Sequence, residues 1–558
     1  MNSPVPAALT TTQKLDELFK PWNRSDIPGA VVGIAHKGGV IYRRGFGLAS
    51  VEHGVTNTPG MRMRIGSTTK HFCALGIMLL AEDGKLDINQ PVRTYLPELS
   101  DVCGEPTLLQ LMQHTGGLRD PMMAAFIINR GTYGHIPDGA SLQLMARFKE
   151  RNFAPGMRMA YSNSGYTLLS LVIERLSGMS MEAFLQQRMF AVLGMHDTAL
   201  LRSDQILVPN MATAHIPKAD GSWRRGIYPT DELLGSGGVI STVDDMLIWI
   251  AHLRAPHADK KIGSAATWAK MLERPLNLSG QSAIYGLGVM RENYRGVEII
   301  HHAGATVGFQ CQMLTVPEHE LDIIVMTNRM DVPAPALALK IVDGVLESAG
   351  LAAPRIPPAA TDFPAVPGRW YSAQSRTLME IAARKLKPEW PEILLLSTYN
   401  APLGALYRSD AGLALAEGPV SSIEIRQLPQ GETPATALDV HIHGDLERFE
   451  RLPGTAPSAA DLAPALCGRY RFAEFGTEVE ILIKDGKLQL DLLPEFGLAR
   501  WEIEPLSADV LGCGIFHTVP PMPLPNLATI VVDRQDDKVS GFWISNDRTR
   551  NIRFDRVG

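Results

Sequence analysis

Apolar positions fall into two textures along this chain. In the N-terminal part, runs of strand length and runs of helix length take turns. "GAVVGIAHKGGVIYRRGFGLAS" (29–50) reads as two strands turning at "KGG". "STTKHFCALGIMLLAEDGKL" (67–86) is an apolar helix that ends near Gly84, and "GYTLLSLVIERLSGMSMEAFLQQRMF" (165–190) is two helices broken at Gly178. "LDIIVMTNR" (321–329) is a strand again. Strands at both sequence ends with helices between them predict one antiparallel sheet closed by both termini and packed on a helical region.

The C-terminal part has short alternating runs and little helical period. "TEVEILIKDGKLQLDLL" (477–493) sets two half-buried strands about the hairpin turn "KDG". One stretch opens "PGRWY" (367–371) and closes "ERFERL" (447–452); another opens "CGRYR" (467–471) and closes "NIRFDRV" (551–557). The two read as repeats, each an antiparallel barrel or sandwich, with a barrel favoured because closure removes exposed edges. The Pro/Ala-rich stretches at 350–367 and 452–465 read as semi-rigid linkers. The expected order is a large mixed helix-and-sheet domain at 1–350, a linker at 351–366, a barrel at 367–453, a linker at 454–466 and a barrel at 467–558.

Length supports this division: 558 residues exceed one ordinary domain and suggest three or four of roughly 150 residues. A net charge of −6 gives no general attraction to nucleic acid or an anionic membrane. The start lacks a basic stretch followed by an apolar one, and no run is long enough to span a bilayer. The five cysteines form no CxxC pair and read as buried thiols, which fits a reducing cytoplasm. A homodimer remains open.

Against this frame stands "RIGSTTKHF" (64–72). If a helix starts near Ser67, Lys70 returns to the same face one turn along. Desolvation and the positive end of the helix dipole both disfavour the charged amine there, leaving a base beside a hydroxyl. A capped helix start with a solvated lysine is the plainer reading, and the spacing alone does not choose between them. In "FAPGMRMAYSNSGYTLL" (153–169), Tyr161 and Asn163 occupy a turn before the second apolar helix. Tyr161 could relay a proton and Asn163 could bind a substrate carbonyl or hold Lys70, or the turn could serve only as an N-cap. In "IIHHAGATVGF" (299–309), small residues after His302 let a substrate approach the backbone, and His302 would be a polar group at the pocket edge. His301 alternates to the opposite face.

Together, Ser67-x-x-Lys70, Tyr161-x-Asn163 and His302-x-Gly304 resemble the signature of the penicillin-recognising serine hydrolases, which include class C β-lactamases and D-alanyl-D-alanine carboxypeptidases. "LLQLMQHTGGLRD" (108–120) and "GSGGVISTVDDM" (235–246) are similar to further segments of that family, and the likeness covers about residues 12–348. The resemblance implies an α+β, β-lactamase/transpeptidase-like domain followed by two lipocalin-like barrels. It implies Ser67 as nucleophile, Lys70 and Tyr161 sharing its proton, the N–H groups of Ser67 and Ala305 holding the oxyanion, and no metal or cofactor. A histidine at position 302, where many members carry lysine, is similar to the D-stereospecific aminopeptidase subgroup and to some esterases; the resemblance implies release of N-terminal D-residues from small molecules or short peptides, with an esterase or amidase of small acyl compounds, or a slow penicillin-binding protein, as the alternatives. In that subgroup a loop of the last domain reaches the active site and selects a free α-amine. The candidate loop here is 492–506, with Glu495 able to pair an ammonium group and Arg500 beside it. On this reading, removing residues 467–558 alters specificity more than acylation of a small ester.

Overall fold

The computed structural model describes residues 11–557, apart from 129–134, 256–260, 277–282, 387, 389–390, 399–400, 411, 416–422, 427–433, 443–444, 493–499, 515–527 and 547. It forms two compact units: Met1–Gln90 with Tyr166–Pro275 and Ile284–Pro354, and Pro91–Gly165 with Leu276–Ala283 and Arg355–Gly558.

The first unit is built on a six-stranded antiparallel sheet. The elements that matter are α1 (Thr11–Phe19), β1 (Ala30–His36), β2 (Gly39–Phe46), α2 (Lys70–Glu82), α3 (Asn163–Ser177, whose first residues belong to the second unit) and α4 (Val243–Arg254). They are followed by β3 (Met290–Tyr294), β4 (Val297–Thr306), β5 (Phe309–Val316), β6 (Leu321–Thr327) and α5 (Ala334–Val345). Strand order is β3-β4-β5-β6-β1-β2. The N-terminal hairpin therefore joins the last strand, with Val32 opposite Val325 in β6, as the termini-closed sheet predicted. Val32 and Ile34 face α1 and α5 in one core, with Leu15, Phe19, Leu337 and Ile341. On the opposite face Gly33 leaves room for α4: a Cβ there would stand 3.1 Å from Leu247 and 3.2 Å from Val243. Both faces being covered explains why the central strands β1 and β6 are near-continuous apolar runs rather than alternating.

The second unit holds the helical segment Pro91–Gly165 and two closed eight-stranded barrels, over Gly368–Arg451 and Gly468–Arg556. The barrels close with one shared device. Arg451, at the end of the first, donates to the carbonyls of Pro367 (2.7 Å) and Ala365 (2.6 Å) and lies over Trp370. Arg556, at the end of the second, donates to Cys467 (2.8 Å) and Ala465 (2.6 Å) and lies over Tyr470. The glycine of each opening "GR[WY]" gives the arginine its space, since a Cβ at Gly368 would sit 2.1 Å from Arg451 Nη1.

Two expectations change. The second Pro/Ala-rich stretch is not all linker, because Ala459–Leu466 is a helix, α6, with Leu462 and Leu466 buried. Its capping box pairs Ser458 with Asp461, and that local signal outweighs Pro464 in the last turn. The stretch read as one loop over 492–506 is half strand: Arg500–Pro505 belongs to the second barrel, Asp491 opposite Arg500. Glu495 lies outside the described residues.

Candidate active site

The turn before α2 is pinned residue by residue. Buried Arg64 pairs with Asp204 (2.6 Å) and donates to the Leu201 carbonyl. The Ile65 N–H donates to Val239 O, and Val239 N–H returns a bond to Thr69 Oγ1, both at 3.0 Å. Thr68 Oγ1 donates to the His302 carbonyl at 3.2 Å. Gly66–Thr69 forms a 3₁₀ turn, and α2 begins at Lys70. Ser67 is half-buried and Lys70 fully buried. The Lys70 Nζ lies 3.1 Å from Ser67 Oγ and donates to the Ser236 carbonyl at 2.6 Å. Its amine also stands 5.4 Å from the centre of the Tyr166 ring. The solvated-lysine reading is excluded by this burial.

Glycines bring backbone to this pair from two sides. β3 pairs with β4 only as far as His301, opposite Met290, and the Ser67 turn lies against β4 beyond that point. A Cβ at Gly66, which has φ +54°, would be 2.5 Å from Ala305 N, and one at Gly304 would be 1.8 Å from Ile65 O and 3.0 Å from Ser67 N. No side chain separates the two backbones, so the amides of Ser67 and Ala305 are near neighbours. From the other side comes "GSGG" (235–238): a Cβ at Gly235 would fall 2.5 Å from Cys73 Sγ, and the Gly235 N–H donates to Ser170 Oγ at 2.9 Å. Burial pushes the Cys73 thiol up to about 12, so the sulfur one turn beyond Lys70 stays protonated.

His302 is buried, not at an open pocket edge. Its Nε2 is 3.0 Å from the hydroxyl of Tyr285 and its Nδ1 is 2.6 Å from the Ala303 carbonyl. The second contact requires the proton on Nδ1, so the Tyr285 hydroxyl donates to Nε2. Burial, with the neighbouring Lys70 adding to it, holds the imidazole well below its ordinary range, so it is neutral. Sequence reasoning missed Tyr285. Its signal is "YGLG" (285–288), where Gly288 has φ +77° and a Cβ would stand 2.6 Å from His71 Cα. His301 turns the other way and meets Glu292 at 2.6 Å.

Tyr161 and Asn163 stand in the second unit, at the start of α3. The turn hangs on His114, from the "QHTGG" loop: Ala160 N–H donates to its carbonyl (2.9 Å) and Ser162 N–H to its Nδ1 (3.1 Å). The His114 and Tyr161 rings are 4.2 Å apart. Just upstream, buried Arg158 pairs with buried Glu447 of the first barrel at 2.9 Å. Arg500 is committed to Asp491 at 2.8 Å. Among the described residues no group of three or more His, Cys, Asp or Glu side chains is placed to hold a metal ion.

A hydroxyl beside a buried amine, with two backbone amides close by, is a set of groups suited to acyl transfer. The family model described as Beta-lactamase matches residues 13–346, more than half the chain. The chain belongs to the beta-lactamase family. Among relatives of this beta-lactamase-family chain, a D-aminopeptidase of Gluconobacter oxydans strain 621H is 27% identical over 547 residues, spanning 95% of this chain and 96% of the relative. A D-aminopeptidase of Cereibacter sphaeroides is 26% identical over 537 residues, again 95% and 96% of the two. Among solved structures, the D-amino acid amidase from Ochrobactrum anthropi SV3, complexed with L-phenylalanine amide, aligns with TM-score 0.51 and 21% identity over 61% of this chain and 99% of that one. An octameric penicillin-binding protein homologue from Pyrococcus abyssi aligns with TM-score 0.53 and 20% identity, over 86% and 97%. Both structural likenesses concern the fold. No helix among the described residues is long and apolar enough to cross a membrane.

Proposed function

We propose that the chain is a D-stereospecific serine hydrolase that releases N-terminal D-residues from peptides, amides or esters through an acyl-enzyme. The observation that carries this is the buried Lys70 amine 3.1 Å from Ser67 Oγ. Two relatives described as D-aminopeptidases, matched over nearly their whole length, support the stereochemistry.

In this reading Ser67 Oγ attacks the acyl carbonyl as its proton passes to Lys70. The amides of Ser67 and Ala305 take the negative charge on the carbonyl oxygen; losing one such donor costs about 2.7–4 kcal/mol of barrier. Tyr161 delivers the proton to the departing amine or alcohol, and Asn163 holds the substrate carbonyl. Water then attacks the ester on Ser67, and Ser67 recovers its proton. His302, neutral and held by Tyr285, shapes the site as a polar wall. Residues 1–350 form the catalytic part in this assignment.

Hydrolysis of D-alanine p-nitroanilide set against its L form and against the N-acetylated D form is the test. Turnover of the free D-amine substrate alone is expected. Equal rates on D and L, or turnover only of the blocked amine, would overturn the proposal.

A further inference from the structure

Ser170 sits in the middle of α3, in the apolar run "TLLSLVIE" (167–174), where Leu168, Leu169, Val172 and Ile173 are all fully buried. Ser170 is fully buried with them. A hydroxyl there adds nothing to the helix, which alanine would form better, and it is costly unless it is bonded. Its Oγ donates to the Tyr166 carbonyl one turn back at 2.7 Å, a bond that slightly weakens a helix, and accepts the Gly235 N–H at 2.9 Å. Gly235 is seated against α3 and α2 at once, since a Cβ there would stand 2.6 Å from Ser170 Oγ and 2.5 Å from Cys73 Sγ. The next residue, Ser236, supplies the carbonyl that accepts from Lys70 Nζ at 2.6 Å. On the other side Leu234 is folded back on its own loop, its carbonyl taking the N–H groups of Gly237 (3.1 Å) and Gly238 (2.7 Å). All of these residues belong to the first unit, with Ser67 and Lys70.

We propose that Ser170 is a positioning residue for acylation: by holding the Gly235 amide, it sets the Ser236 carbonyl where that carbonyl steadies the Lys70 amine. This rests on the reading of Lys70 as the base for Ser67. In that step the Ser67 O–H bond breaks as the bond from Oγ to the acyl carbon forms, and the amine lone pair takes the proton, leaving a buried ammonium. A neutral amine has one lone pair. Tying an N–H to Ser236 O leaves that lone pair free to face Ser67 Oγ, 3.1 Å away. Once the proton arrives, the same carbonyl accepts from a cation, a stronger bond than one from a neutral amine, so the contact tightens as charge develops. An acceptor set in place beforehand lowers the barrier because nothing has to rearrange to meet the charge. A serine that only filled space beneath the loop would leave the basicity of Lys70 untouched by its loss.

The test follows kcat/KM against pH for the full-length wild type, Ser170→Ala, Ser170→Cys and Cys73→Ala on D-alanine p-nitroanilide, with thermal unfolding beside it. Ser170→Ala loosens an acceptor that favours the ammonium, so its acid limb should move to lower pH by about half a unit or more, with kcat falling about ten-fold and KM staying within about two-fold. Ser170→Cys, whose sulfur is a weaker acceptor, should fall between the two, and it decides the matter if the alanine variant does not fold. Cys73→Ala removes packing beneath the same glycine while the Gly235 N–H keeps its acceptor, so it should leave the limb in place. A limb unmoved in the Ser170 variants, a loss confined to KM, or a limb moved as far by Cys73→Ala overturns the assignment and leaves the proposed function standing. No turnover by the wild type of either the anilide or a D-alanine ester defeats both.

Discussion

Lys70 owes its chemistry to where it is buried. It occupies the first position of α2, so burial forces its amine to find partners nearby, and it finds the Ser67 hydroxyl and the Ser236 carbonyl. Ser67→Ala should lower kcat by about three orders of magnitude or more while leaving the unfolding midpoint near that of the wild type; kinetics beside thermal unfolding check both. Two histidines flank this chemistry without charge. His71 stacks on Trp249, neither of its nitrogens has a hydrogen-bond partner among the described residues, and burial pushes it down to about 3. The unfolded chain therefore binds a proton at His71 below about pH 6.5 that the folded chain refuses, so stability falls as pH drops, by about 1.4 kcal/mol per unit until the folded value is reached. Between pH 7 and 5 this amounts to about 2 kcal/mol, and urea titrations of His71→Leu should show that much less acid sensitivity than the wild type. Tyr285→Phe leaves His302 Nε2 without its donor and should cost about 1–3 kcal/mol, measured the same way.

Elements bring these residues together through close backbone contact. The Ser67 turn and β4 meet at Gly66 and Gly304, where neither can carry a Cβ without collision. Gly304→Ala should push the two amides apart, with a loss of about a hundred-fold or more in kcat and little change in KM, read from steady-state kinetics. Much of this level was legible in the chain. The "KGG" hairpin, the apolar helix after Ser67 and the strand-like flanks of His302–Gly304 announce themselves by period and turn residues. What stayed hidden is long-range: nothing local to Tyr285 says that its hydroxyl meets His302, and nothing local to His114 says that it carries the Tyr161 turn. The helix inside the supposed linker was readable in Ser458-x-x-Asp461, a cue masked by the surrounding proline and alanine.

For the molecule, the second unit changes what the barrels do. Its helical segment is bonded to both: Arg158 to Glu447 of the first, and Arg119 to Glu474 of the second, each pair buried. Breaking such a pair by removing one partner costs about 3–5 kcal/mol, because the other charge is left uncompensated. Deleting residues 467–558 should therefore do more than alter specificity. It should leave Arg119 unpaired and open Pro91–Gly165 to limited proteolysis, where the full chain resists; an equally resistant truncated chain would contradict this. In the proposed mechanism one hydroxyl among 558 residues carries the acyl group. Rapid acid quench during turnover of a D-alanine ester, followed by peptide mass spectrometry, tests that claim most directly. A D-alanyl adduct on the peptide containing Ser67, absent in Ser67→Ala, is the result predicted; an adduct on another residue, or continued turnover by Ser67→Ala, would contradict it.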